Sequence, residues 1–228
     1  MIDEKENELI NIKLDTLYKK HTADFLNEWA NTFGKAYNEA PPFRINEFGI
    51  INIRSYDKEN GILFICRETN DWDNEDFKNG CLFRKWMHDI TEEGLEGRGH
   101  IKKHPNMWYN IGRWIMLMEY PEMPVDKIAS MKGEVLRYIG DIAFTNVNKV
   151  RGKEQSRKEF YDLAKTSVVK EVLQKEIEII NPKVIVCCGT GWVFDRCIQN
   201  YSGKVIYMPH PGARLNTVEM LERLKKQI

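Results

Sequence analysis

No apolar run in the sequence approaches the roughly 18 residues a membrane-spanning helix needs, so no bilayer segment is expected. There is no CxxC pair: the five cysteines, Cys66, Cys81, Cys187, Cys188 and Cys197, are odd in number and scattered. That argues against a disulfide scaffold and a thiolate zinc centre, and for a reducing compartment. An excess of one charge is also missing, with 34 basic against 34 acidic residues, so no global field advertises a nucleic acid or a membrane. His21, His88, His100 and His104 lack ligand-like spacing with carboxylates or cysteines, and neither a metal nor another cofactor is expected. The opening Met1-Ile2-Asp3-Glu4-Lys5-Glu6 is too acidic for a secretory leader, which makes the cytoplasm the expected location. Internal repeats and low-complexity stretches are absent as well.

What is present fits a globular protein. With 228 residues, 42% hydrophobic and 30% charged, the chain can bury roughly 70% of its unfolded surface in one core. Three apolar runs stop abruptly in polar clusters. Ile62–Cys66 leads into Arg67, Glu68, Thr69, Asn70 and Asp71; Ile142–Phe144 into Thr145, Asn146, Asn148 and Lys149; Val205–Met208 into Pro209, His210, Pro211, Gly212 and Arg214. A strand delivering polar groups at its carboxyl end is where open α/β sheets keep ligand sites, so the three loops should share one cleft.

Between these runs the apolar spacing is helical. Leu14 to Tyr37 carries a stripe of threes and fours closed by Pro41 and Pro42, and Phe48 to Tyr56 alternates like an edge strand. Cys81 to Ile90 reads as a short helix, and Gly94, Gly97 and Gly99 break the pattern into a loop. Met107 to Tyr120 should be a buried helix, and a turn or two more follow over Lys127 to Tyr138. Ser156 to Ile180 reads as the longest regular helix, stopped by Asn181 and Pro182. Val184–Cys188 is a further strand, followed by Gly189-Thr190-Gly191, which lacks dinucleotide spacing and the phosphate-loop lysine and is read as a packing turn. A C-terminal helix takes Val218, Leu221 and Leu224. Two basic groups, Lys149 to Lys158 and Arg214 with Arg223 to Lys226, are the candidate polyanion contacts.

Taken in order, ILFICRETND, IAFTNVNKVRG, INPKVIVCCGTG and VIYMPHPGAR resemble the uracil-DNA glycosylase superfamily from about Gly61 to the C-terminus. The resemblance implies a three-layer α/β/α sandwich with a short, mainly parallel four-stranded sheet. It implies one domain over 1–228, with an N-terminal helical extension over about 1–45 and a helical insertion over about 97–138. The activity implied is cleavage of the N-glycosidic bond of a deaminated or damaged base flipped out of DNA, by a monomer. The chain departs from the family at Cys66 and Thr69, where glycine and proline are usual, and at Gly212, where serine is usual. It also lacks the cysteine arrangement of the iron–sulfur subfamilies, so no cluster is expected.

The matching positions take roles accordingly. The carboxamide of Asn146 offers the donor and acceptor that read a base edge, with Asn70 beside it. His210 is placed to stabilise charge on the leaving base, and Glu68 or Asp71 to orient the attacking water. Phe83, then Trp72, are the candidates for stacking on the base. Arg67, Lys149, Arg151, Gly212 and Arg214 are expected at the nucleic-acid backbone. Two alternatives stay open: a nucleic-acid or nucleotide binder that has lost the chemistry, and a hydrolase or transferase acting on a free nucleoside or nucleotide. The orientation of Glu68 discriminates the first.

Overall fold

A computed structural model describes residues 2–68, 83–94, 106–150, 152 and 157–228. The chain opens with α1 (Glu4–Trp29), whose first turn is capped by the Asp3 carboxylate accepting from the Glu6 N–H. This helix continues through a π turn (Ala30–Gly34) into Lys35–Tyr37 and ends at Asn38 in the left-handed conformation. Then follow β1 (Gly49–Ile50), β2 (Ile62–Cys66), α2 (Phe83–Glu93), α3 (Asn106–Glu119), α4 (Val125–Ser130) and a 3₁₀ stretch (Gly133–Asp141). The remainder is β3 (Ala143–Asn146), α5 (Arg157–Leu163), α6 (Ser167–Ile180), β4 (Val184–Cys188), α7 (Gly191–Cys197), β5 (Lys204–Met208) and α8 (Thr217–Lys225).

The described residues form a five-stranded, mostly parallel sheet in the order β1-β3-β2-β4-β5, not the four strands expected. The additional strand is the short β1, antiparallel to β3. Only Gly49 and Ile50 of the alternating 48–56 stretch pair as a strand, because the chain beyond Ile51 and Asn52 turns back on itself at Tyr56. The free edge of β1 is closed by a side chain: Asn11 of α1 accepts from the Ile50 N–H at 2.9 Å and donates to the Ile50 carbonyl at 3.0 Å. Gly49, at φ 143°, allows that approach, since a Cβ there would stand 2.5 Å from the Asn11 amide oxygen.

The expected long helix is two helices. Thr166 adopts an extended conformation between α5 and α6, and its hydroxyl donates to the Leu163 carbonyl at 2.8 Å, so the apolar spacing runs on while the backbone ladder is interrupted. The longest helix is instead α1. Its apolar stripe, Leu14, Phe25 and Trp29, is fully buried in the same hydrophobic cluster as the sheet, and the helix packs on α6. On β2, β3 and β4 the apolar runs are buried almost end to end, as strands of a covered parallel sheet must be.

Beneath the carboxyl end of β3 lies a polar knot within this core. The Lys149 ammonium donates to Glu176 Oε2 of α6 at 2.7 Å and lies 2.6 Å from Oε1, and it also donates to the Thr145 hydroxyl. The Thr145 hydroxyl in turn reaches Glu176 at 2.9 Å, and the Tyr18 phenol of α1 donates to the same carboxylate. Lys149 is 1% exposed and sits over the rings of Phe48 and Tyr18. The assignment of Lys149 to the nucleic-acid backbone is therefore corrected: a fully enclosed ammonium bound to a carboxylate cannot reach a phosphate. Burial pulls the Lys149 pKa down, opposed by the Glu176 carboxylate, and burial together with the same carboxylate pushes the Tyr18 phenol far up.

Removing one partner strands the other charge, so Glu176→Gln is expected to destabilise the fold by about 3–5 kcal/mol, whereas Lys149→Met combined with Glu176→Leu recovers most of the loss. Urea titration of the two variants against the parent measures both. Equal stability of the single and double variants would show that the pair is not the buried unit described.

Candidate functional site

The sheet order places β2 between β3 and β4, with successive connections leaving to opposite sides of it, and the crevice outside the carboxyl ends of such strands is where α/β sheets take ligands. The parallel register aligns Cys66 with Asn146. The next residues keep the two strand ends together, as the Val147 N–H donates to the Cys66 carbonyl and the Asn148 N–H to the Arg67 carbonyl, both at 2.9 Å. Asn146, Arg67 and Glu68 thus share one rim. Asn146 is nearly fully buried, and the Asn148 side chain accepts from the Val150 N–H at 2.9 Å to shape the turn that follows.

From the other side, the turn after β4 joins the rim by packing. The Thr190 hydroxyl donates to the Ile65 carbonyl and the Gly189 N–H to the Met208 carbonyl, each at 2.7 Å. Gly189 has φ 72°, a left-handed conformation that favours glycine, and this turn stands against the backbone of His210. Gly191 lies closer still to its neighbour, since a Cβ there would stand 2.5 Å from the Tyr207 ring. This turn packs as read from its sequence.

His210 is held in one tautomer. Its Nδ1 accepts from the Gly212 N–H at 3.1 Å, so the proton of the neutral ring resides on Nε2. Burial first, and the Arg67 guanidinium second, push its pKa down to about 4. Near neutral pH this side chain is an uncharged N–H donor. The loop that carries it is clamped from α3: Asn110 donates to the Pro211 carbonyl at 2.7 Å, Arg113 donates to the Asn110 side-chain oxygen at 3.1 Å, and Arg113 Nε donates to the Met131 carbonyl at 2.9 Å.

Glu68 is 9% exposed, with one carboxylate oxygen 3.4 Å from Arg67 Nη2. Its carboxyl group lies against Gly152, where a Cβ would stand 2.6 Å from the carboxyl carbon, so a side chain at 152 would displace it. Tyr37 approaches from the end of α1: burial, then the Glu159 and Glu68 carboxylates, push its phenol up. The Arg67 guanidinium stacks 4.4 Å over the Phe160 ring. Arg67 therefore neighbours the carboxylate of Glu68, the ring of Phe160 and, through its charge, His210.

The expected site residues divide as follows. Glu68, Asn146, His210 and Arg67 all lie at the carboxyl end of the sheet, with Arg67 beside Glu68 and near His210, and Gly212 and Arg214 are exposed on the same loop as His210. Phe83 is buried between Phe48 and Phe144, with ring centroids at 4.9 and 5.6 Å, so its ring faces already have neighbours. Lys149 is internal. Asn70, Asp71, Trp72 and Arg151 lie outside the described residues. Sequence reasoning missed Asn110 and Arg113, although two polar residues three apart on an otherwise apolar helix marked them. Tyr37, Gly152 and Glu176 left no comparable local signal. Among the described residues no group of three or more histidines, cysteines or acidic residues is arranged to hold a metal ion, and no described helix is long and apolar enough to cross a membrane. No protein family, curated protein or solved structure matches the chain.

Two outcomes test this geometry. A half-buried histidine held neutral loses stability for the fold as the unfolded chain begins to bind its proton near 6.5, and the loss grows until the folded ring titrates near 4. NMR titration of the imidazole is accordingly expected to show an unprotonated Nδ1 across pH 5–8 and protonation only near 4. Titration near 6.5 would contradict the described environment. Asn110→Ala releases the Pro211 carbonyl, at a cost of about 1 kcal/mol for the lost hydrogen bond, and the same titration should move upward as the loop opens to water.

Proposed function

We propose that the chain hydrolyses the N-glycosidic bond of a deaminated or damaged base flipped out of DNA, on an α/β/α sandwich of the uracil-DNA glycosylase kind. The observation that carries the proposal is a neutral histidine with a free-standing proton on Nε2, at the same strand-end rim as the Asn146 carboxamide and the Glu68 carboxylate. The motif resemblance supports it independently of that geometry.

The chemistry divides among the three. Asn146 presents both a donor and an acceptor to the edge of an extruded base. As the bond from the sugar C1′ to the base nitrogen breaks, the electron pair passes to the base and negative charge accumulates on its carbonyl oxygen. A neutral N–H donor stabilises that charge without first having given up a proton of its own. Glu68 orients water toward C1′ and takes its proton as the new C–O bond forms, and the proton finally neutralises the departed base. Arg67, beside both the carboxylate and the histidine, and exposed Arg214 hold backbone phosphates.

A second reading, a binder without catalysis, draws on one observation. Glu68 is buried against Gly152 and within 3.4 Å of Arg67, an arrangement that suits a structural pair as well as a base.

A glycosylase assay on oligonucleotides carrying uracil, hypoxanthine, xanthine or mismatched bases, developed with alkali, separates the two. Cleavage of at least one substrate is expected, falling about 10²–10³-fold in His210→Ala and in Glu68→Gln with folding intact. Binding without cleavage of any substrate would establish the second reading. Cleavage undiminished by both substitutions would remove these residues from the mechanism.

A further inference from the structure

Beside Arg67 lies an aromatic group that the site above does not use. Phe160 is buried on α5 and carries the Arg67 guanidinium on its ring. Trp192, on the first turn of α7, also meets it, edge-on at 6.2 Å between centroids with the planes 89° apart. Tyr161, the next residue on α5, lies 4.8 Å from Trp192 at 44°. Trp192 is half-buried and Tyr161 is 44% exposed, so both rings extend beyond the core while Phe160 anchors them to it. The chain brings them to the rim through the packed turn after β4: Thr190 is bonded to Ile65, Gly189 stands against His210, and Trp192 follows two residues after Thr190.

We propose that Tyr161 and Trp192 form a stacking platform for an unpaired nucleobase next to the one bound at His210 and Asn146, and hence that the preferred ligand is single-stranded nucleic acid. This rests on the nucleic-acid reading of the site and extends it to the form of the strand. An aromatic face accepts any base, but only one whose own face is not already stacked within a duplex. The charge distribution agrees. On α5 the exposed cation Lys158 is accompanied by Glu159 and exposed Asp162, so the helix face beside the rings carries no net positive charge, whereas Arg67 at the foot of the platform supplies a local cation for one phosphate. The nucleic-acid contact is local and aromatic.

The full chain is compared with Tyr161→Ser, Trp192→Leu, the double variant and the ring-retaining pair Tyr161→Phe with Trp192→Phe. The probes are a fluorescent dT12 strand and a blunt duplex of the same length, at one fixed salt concentration. The double variant and Tyr161→Ser alone should lose about tenfold or more in affinity for dT12 while the duplex affinity changes less than about twofold, and the ring-retaining pair should bind as the parent does. Tyr161 is exposed, so Tyr161→Ser keeps the test informative even where Trp192→Leu fails to fold. Equal losses on both probes, or an unchanged affinity for dT12, overturn the platform. A parent that cleaves no modified base yet binds dT12 through these rings leaves the platform standing and removes the glycosylase reading. A parent that cleaves single-stranded substrate with a KM unchanged by Tyr161→Ser does the reverse.

Discussion

The buried pair of Lys149 and Glu176 constrains more of this structure than any other interaction. An ammonium and a carboxylate taken out of water are tolerable only when each is fully engaged, and here Thr145 and Tyr18 complete the set. Those four residues come from α1, β3, the loop after β3 and α6, so satisfying one charge fixes four segments against one another. Asn146 and Asn148 lie between two of the anchored positions, Thr145 and Lys149. The same knot joins the outer wall of the loop, since the Asn46 N–H donates to the Lys149 carbonyl at 2.8 Å. Stability and the placement of the strand-end asparagine are one requirement.

A second constraint operates on the far side of the rim. His210 is uncharged because its ring is withdrawn from water and because Arg67 is close, and that withdrawal depends on groups outside the loop. Asn110, itself held by Arg113, fixes Pro211, the left-handed Gly189 turns the neighbouring loop against His210, and the Gly212 N–H selects the tautomer. Each of these is a single hydrogen bond or packing contact, the one from the Arg113 guanidinium being charge-assisted. Together they leave an N–H donor where a solvent-exposed histidine would alternate between charge states.

Arg67 links the two halves. It lies beside Glu68, over Phe160 and near His210, so one cation borders the carboxylate, the aromatic group and the imidazole. Glu68 is consequently half of an ion pair with that cation. The Tyr161 and Trp192 rings stand on the same support.

Local sequence was enough to place β2, β4 and β5 and the polar clusters that follow them. Val184–Cys188 and Lys204–Met208 coincide with β4 and β5, because continuous apolar runs flanked by turn residues have few other solutions. The meeting of Arg67, Asn146 and His210 at one end follows from the parallel arrangement that alternating strands and helices impose. Boundaries that depend on hydrogen bonds to distant partners were not legible. The break at Thr166 left the helical spacing intact, and β1 ends where Asn11 of another element takes over its edge. Lys149 shows the limit most clearly. In sequence it is one lysine in a basic run, and nothing local distinguishes a phosphate contact from an internal cation; its partner Glu176 lies 27 residues away on α6. Charge, tautomer and burial are properties of the surroundings, so only the tertiary structure decided which of these polar residues stand at the strand-end rim and which are buried in the core that holds the fold together.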